Sequence, residues 1–247
     1  MIGYLMFSLI KTRLRTGDRE GAIALAEKWR RLARRSSAAC YFEYWARVQY
    51  RERKPGEYID LLREAQRLSG PYSMNTSVNT LAGELIRMYA AWGKEEHALE
   101  AEQILTETHE RFGPTPWELD LRADLAYLRG NPNEARRLRA ESWELQPRKN
   151  APHALLYEAM LHVDAGDRKR AIELLTQAAN GRFADETVHG YLSALLEATD
   201  DKASIHHREA AHRLWKGPAE EMERKLQSYR QRIEEGPFAD LREPSEG

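Results

Sequence analysis

One cysteine, Cys40, stands among 247 residues, so the chain can form neither an internal disulfide nor a Cys-based zinc cluster. Cysteine this sparse fits a reducing compartment, and the expected location is cytoplasmic. Cys40 itself is expected to be a small packed helix residue rather than a reactive thiol. Long apolar runs are missing as well. The most apolar stretch is the first ten residues, about half the length needed to cross a bilayer. It has no basic segment before it and no small-residue cleavage site after it, so an amphipathic first helix is expected, with membrane-surface contact through residues 1–10 as the lesser alternative. Without a secretion signal, the Asn75-Thr76-Ser77 sequon carries no weight. Charge of one sign is also missing. Lys and Arg number 38 against 39 Asp and Glu, a formal net charge of −1, which gives no global electrostatic reason to expect nucleic acid or an anionic membrane. Runs of β-branched residues are few, so strands have little support. The sequence holds no nucleophile elbow, no phosphate-binding loop and no dinucleotide fingerprint. The expectation is therefore a protein without enzymatic activity and without a cofactor.

What the sequence does have is an apolar fraction of 42% together with 31% charged residues and a mean hydropathy of −0.72. That balance suits a thin body of helices, each keeping a wide wet face. Four segments share one pattern, in which a glycine is followed by a polar turn and then, five residues on, by an alanine that opens an apolar helical stripe. They run from Gly17 to Ala22, Gly93 to Ala98, Gly130 to Ala135 and Gly166 to Ala171. Glycine can take the left-handed conformation that closes one helix, and the small alanine allows the next helix to cross the first closely. Two weaker copies, Tyr58 to Ala65 and Ala203 to Ala210, share the spacing of Ala171 to Ala178. Turns are then expected near residues 17, 53, 93, 130, 166 and 199, about 36 residues apart. The longest step contains the turn-rich insertion from Ser69 to Asn75. Each half-unit reads as a helix: Ala154, Leu155 and Ala159 line one face of a first helix, and Ile172, Leu175 and Ala179 line a second.

This period, the glycine turn, the small residue after it and a closing proline resemble the tetratricopeptide-repeat family. The resemblance is best from Arg129-Gly130-Asn131 through Ala135 to Pro147, and nearly as good from Ala171 through Ala178; it covers roughly residues 3–215. The first helices lack the family's tryptophan, leucine-glycine and tyrosine series. The resemblance implies an all-α fold, a right-handed α-solenoid of about six antiparallel helix hairpins, in one domain over residues 1–235. Residues 218–235 carry Met222, Leu226, Tyr229 and Ile233 on one stripe and are expected to form a capping helix over the last repeat, followed by a flexible tail over 236–247.

Members of that family hold peptides on the concave face lined by the first helices, and the resemblance places residues six and two before each turn there. Those positions bring up Lys11, Arg47 and Arg87 in succession, with Arg15 and Arg51 beside them; in the later units they become Asp124, Met160 and Leu192. Phe7, Tyr50, Trp117 and Tyr127 fall at other inward positions, where they can stack on a ligand. The expected function is a protein–protein interaction scaffold or adaptor that binds an acidic or amphipathic partner segment in its concave groove, or that assembles a complex through its ends. A nucleic-acid-binding helical repeat is the alternative, disfavoured by the balanced charge. A small-molecule or enzymatic role would rest on the Glu158/His162 pair and little else. His206, Glu209 and His212 can be drawn as a surface metal site, but solvated helix residues account for them better, and no metal is expected.

Overall fold

The computed structural model describes residues 2–49, 54–69, 76–145, 152–182 and 184–238. Over them it forms thirteen helices and no strand, so the expected all-α architecture holds. In order they are α1 (Ile2–Arg15), α2 (Arg19–Leu32), α3 (Ser37–Val48), α4 (Ile59–Leu68), α5 (Thr76–Trp92), α6 (Glu95–Phe112), α7 (Pro116–Leu128), α8 (Pro132–Glu144), α9 (Pro152–Asp164), α10 (Arg168–Ala179), α11 (Glu186–Leu196), α12 (Asp201–Leu214) and α13 (Ala219–Glu235). Successive helices pair as antiparallel hairpins. Three hairpins, α1/α2 to α5/α6, make one compact unit, Met1–Gly113; the other three, with α13, make a second, Pro114–Gly247.

Three of the turns are built alike. Gly17, Gly130 and Gly166 have φ of 81, 76 and 80°. At each, the following amide reaches five residues back to close the preceding helix: Asp18 N to Arg13 O at 2.9 Å, Asn131 N to Ala126 O at 2.9 Å and Asp167 N to His162 O at 2.8 Å. The same Asp or Asn then caps the next helix, its side chain accepting from the backbone N–H of Gly21, Glu134 or Arg170. Two residues thus end one helix and begin another. Gly93 (φ 64°) makes the same reversal before Lys94, which offers no side-chain cap.

The alanines five positions on, Ala22, Ala98, Ala135 and Ala171, are buried to between 0 and 4% exposure. In the first unit Ala22 and Ala26 pack with Ile10, Leu14, Trp29, Ala39 and Ala46. In the second, Ala171 and Ala178 join Leu155, Leu174, Leu175, Val188, Leu192 and Leu195.

The α3/α4 connection departs from the pattern. Residue 53 and most of the insertion after Ser69 lie outside the described residues. Tyr58, the expected counterpart of Ala171, is not inside a helix; it stands before α4 with φ of 63°. Gly56 supplies the other left-handed residue, and its N–H donates to the Glu84 carboxylate at 2.7 Å. The connection falls between Val48 and Ile59, as the expected turn near 53 requires, but a contact from α5 shapes its end and leaves Tyr58 outside the helix.

Polar groups lock the last hairpin. Ser193 Oγ donates to Ser204 O at 3.0 Å and Ser204 Oγ returns the bond to Ser193 O at 2.9 Å. The Nδ1 atoms of His189 and His207 face each other at 3.0 Å, which requires one to donate and the other to accept. Burial, then the charge of its His189 and His206 neighbours, pushes His207 down to about 4; burial and His206 push His189 down too, against Asp185.

Two measurements test this account. At Gly130 an added Cβ meets open space, so only the backbone objects. Gly130→Ala should cost about 1 kcal/mol in urea denaturation and Gly130→Asn visibly less, since asparagine tolerates the left-handed region; an alanine variant as stable as the parent contradicts the turn's role. The depressed histidines favour the neutral form when folded. Their contribution is complete above about pH 6.5, the ordinary histidine value, and is lost as pH falls toward about 4. The melting-temperature advantage of the parent over His207→Gln should accordingly shrink from pH 7.5 to pH 5; a constant difference is the contrary result.

Candidate partner-binding surface

In the first unit α3 packs against both α1 and α5, so Lys11, Arg47 and Arg87 sit on neighbouring helices. Lys11 Nζ stands 5.7 Å from the Phe7 ring centroid, a cation on an aromatic face. Arg15 is exposed and makes no ion pair among the described residues. Tyr50 and Arg51 lie outside the described residues.

The two arginines of the row are not free rungs. Arg47 Nη2 lies 2.6 Å from Glu27 Oε1 and 3.0 Å from Glu43 Oε1, and its guanidinium sits 5.1 Å from the Tyr58 ring centroid. Glu43 is only 1% exposed and also accepts from Arg30 Nε at 2.5 Å. Glu84, likewise 1% exposed, accepts from Tyr44 Oη at 3.2 Å and from Gly56 N, with Arg87 Nε 4.0 Å away. Glu118 on α7, fully buried, is held by Arg122 in the same manner. A buried carboxylate is tolerated only when paired and hydrogen-bonded, so these arginines complete the interior of the hairpins. Arg47 and Arg87 are therefore engaged from beneath, and among the described residues of the row Arg15 is exposed and Lys11 half-buried. The i,i+4 spacing of Glu43 and Arg47 is visible in the sequence; the burial of the glutamate is not.

In the second unit the corresponding positions are already covered. Met160 and Leu192 are buried at 8 and 0%, and Asp124 pairs with Arg139 at 2.6 Å. Helix α13 lies on α11 and α12, with Met222, Leu226 and Tyr229 packed against Tyr191, Ala194, Ala211 and Trp215. It approaches α11 closely because position 190 is glycine; a Cβ there would strike the Tyr229 ring. Ile233 joins the α9–α11 core. Arg232 pairs with Asp164 on α9 at 2.7 Å, Arg230 with Glu197 at 2.8 Å and Glu223 with both Arg208 and His212 of α12 at 2.5 and 2.7 Å. Tyr127 is half-buried where the chain passes at Gly236, whereas Trp117 remains 55% exposed.

A polar cluster lies between α7, α8 and α9. Tyr157 Oη donates to Asp120 at 2.5 Å. Burial pushes the Asp120 carboxyl up, against its bond from Tyr157, and burial lifts Asp124 to about 6 against the pull of Arg139. These groups join α7, α8 and α9 through polar contacts.

The residues considered for chemistry disperse. His162 Nδ1 turns to Asp167 at 3.5 Å, across the α9/α10 turn. His212 bonds Glu223 while His206 is exposed, and no group of three His, Cys, Asp or Glu side chains among the described residues could hold a metal ion. Cys40 is buried, and that burial raises its thiol.

Because Arg47 answers a buried carboxylate, its reversal is a structural change rather than a surface one. Arg47→Glu should lower stability by about 3 kcal/mol, the cost of leaving Glu43 and Glu27 facing a third carboxylate. Chemical denaturation showing a change below about 0.5 kcal/mol, the range of an ordinary surface substitution, contradicts the pairing.

No protein-family model matches the sequence, and no curated protein matches it. Among solved structures, one described as "Crystal structure of APC/C hetero-tetramer Cut9-Hcn1" is similar in fold, with a TM-score of 0.57 at 13% sequence identity. The match covers 94% of this chain and 42% of that one, so the chain spans less than half the length of its structural neighbour. At such low identity the likeness is one of fold, and the fold it identifies is the tetratricopeptide-repeat-like stack of helical hairpins.

Proposed function

We propose that this chain is a non-enzymatic protein-interaction scaffold whose first unit binds an acidic segment of a partner on the face of α1 and α3. Folds of this class work by holding other chains, and the structural neighbour is itself part of a hetero-tetramer. The observation that carries the reading is α13. In the second unit the first-helix face is occupied by a helix that sets an apolar stripe on α11 and places Arg232 on Asp164, two residues before the glycine turn at Gly166. The position two before the turn at Gly17 is Arg15. The same station is acidic and filled by a cation in the second unit; in the first it is cationic and exposed, with Lys11 one helical turn away. Among the described residues no helix of the chain covers it as α13 covers α11. An acidic group supplied by another protein is the complementary occupant, through charge-assisted hydrogen bonds.

The test is affinity capture from the native source with the parent chain and with Lys11→Glu/Arg15→Glu, identifying bound protein and nucleic acid alike. Arg15 is exposed and Lys11 half-buried, neither in an ion pair among the described residues, so melting should shift by about 1 kcal/mol equivalent or less, while recovery of a protein carrying an acidic segment should fall by roughly tenfold or more. Undiminished recovery on the double variant removes the first-unit face from consideration. Recovery dominated by nucleic acid, and abolished by nuclease, favours the nucleic-acid-binding alternative instead.

A further inference from the structure

The first hairpin carries a second surface that the scaffold reading does not use. Helices α1 and α2 run antiparallel, so the first turn of α1 lies beside the last turn of α2: a Cβ on Gly3 would stand 3.6 Å from the Trp29 ring. At this end three large apolar side chains face solvent, Leu32 at 78% exposure, Tyr4 at 75% and Leu5 at 56%, and Leu9, exposed at 52%, follows Leu5 one helical turn along α1. Single exposed leucines are ordinary, but a group of them at one end of a hairpin is not. Around them stand Lys28, Arg31, Arg34 and Arg35, all exposed and none in an ion pair among the described residues.

Charge is segregated to match. Residues 1–42 hold nine Lys and Arg against three Asp and Glu, although the whole chain is −1. Two of those three acids are already engaged, Asp18 by Arg13 and Glu27 by Arg47. Helix α1 contains no acidic residue, and none occurs from Lys28 to Phe42.

We infer that this end of the first hairpin is a docking surface for an anionic lipid bilayer. Leucines and a tyrosine ringed by lysine and arginine reproduce the layering of a membrane interface, with side chains reaching into the acyl boundary and cations held at the phosphates. Nucleic acid would use the cations and leave Leu5, Leu9 and Leu32 in water. A second copy set face to face would oppose two basic ends. No described helix is long and apolar enough to cross a membrane, so the contact is peripheral. The remainder of the chain, being net acidic, is turned away from an anionic surface by the same field.

The experiment is co-sedimentation of the full chain with vesicles of phosphatidylcholine alone or of phosphatidylcholine with phosphatidylserine. The parent should partition onto the phosphatidylserine vesicles only, and less as salt rises. Arg31→Glu/Arg34→Glu/Arg35→Glu should reduce that partition by roughly 100-fold, and Leu5→Ser/Leu9→Ser/Leu32→Ser by about tenfold or more. All six positions are exposed, so both variants should keep the parent's circular-dichroism spectrum and melting temperature. The inference is overturned if the parent ignores phosphatidylserine vesicles, or if either variant binds them as well as the parent does. It is equally overturned if duplex DNA binds with the same dependence on the arginines and none on the leucines, marking a nucleic-acid surface. Sedimentation velocity showing a lipid-free dimer that the leucine variant dissolves would mark a self-association face instead.

Discussion

How closely two antiparallel helices can approach governs each hairpin of this chain. Ala22, Ala98, Ala135 and Ala171 sit on the second helix of a pair, one turn inside its start, and are buried almost completely. A larger side chain there would force the helices apart and open voids along the rest of the interface, where packing losses accumulate quickly. The glycine turn sets the distance along the chain at which that approach begins. Glycine, the capping Asp or Asn and the alanine therefore act as one device, fixing where a helix stops, where the next starts and how tightly the two lie together.

Close approach has an electrostatic consequence. Helices rich in charge cannot stack without enclosing some of it, and the first helices α3, α5 and α7 each bury a glutamate: Glu43, Glu84 and Glu118. Each is answered by an arginine one turn further along the same helix, and Glu43 and Glu84 are held by groups from neighbouring helices as well. Breaking such a pair is costly, whereas its net contribution to stability is small. These pairs consequently specify which helix faces which neighbour more than they add to stability. They also remove Arg47 from the supply of open cations.

Charge is also divided between surfaces of the first unit. One face presents Lys11 and Arg15 from α1, a helix without an acidic residue. The hairpin end presents uncompensated Lys28, Arg31, Arg34 and Arg35 among exposed leucines. In the second unit α13 lies on α11 and α12, using an apolar stripe for area and Arg230 and Arg232 for register.

Much of this was legible in the residues themselves. The spacing from glycine to alanine locates the turns at Gly17, Gly93, Gly130 and Gly166, because left-handed backbone and helix capping are local properties of two or three neighbouring residues. The stripe of Met222, Leu226 and Tyr229 likewise marks α13 as amphipathic. Local reasoning fails at Tyr58, whose left-handed conformation belongs to a turn held by Glu84 from a different helix. It fails again at Arg47, since nothing in the neighbouring sequence reveals that Glu43 is buried or that Glu27 and Arg30 converge on the same point. Sequence alone determined the repeat, the hairpin turns and, over the described residues, the all-helical content, all of which depend on short-range backbone preference and periodicity. Tertiary structure alone decided which charges remain open to a partner and which helices α13 covers, because both depend on side chains brought together from distant parts of the chain.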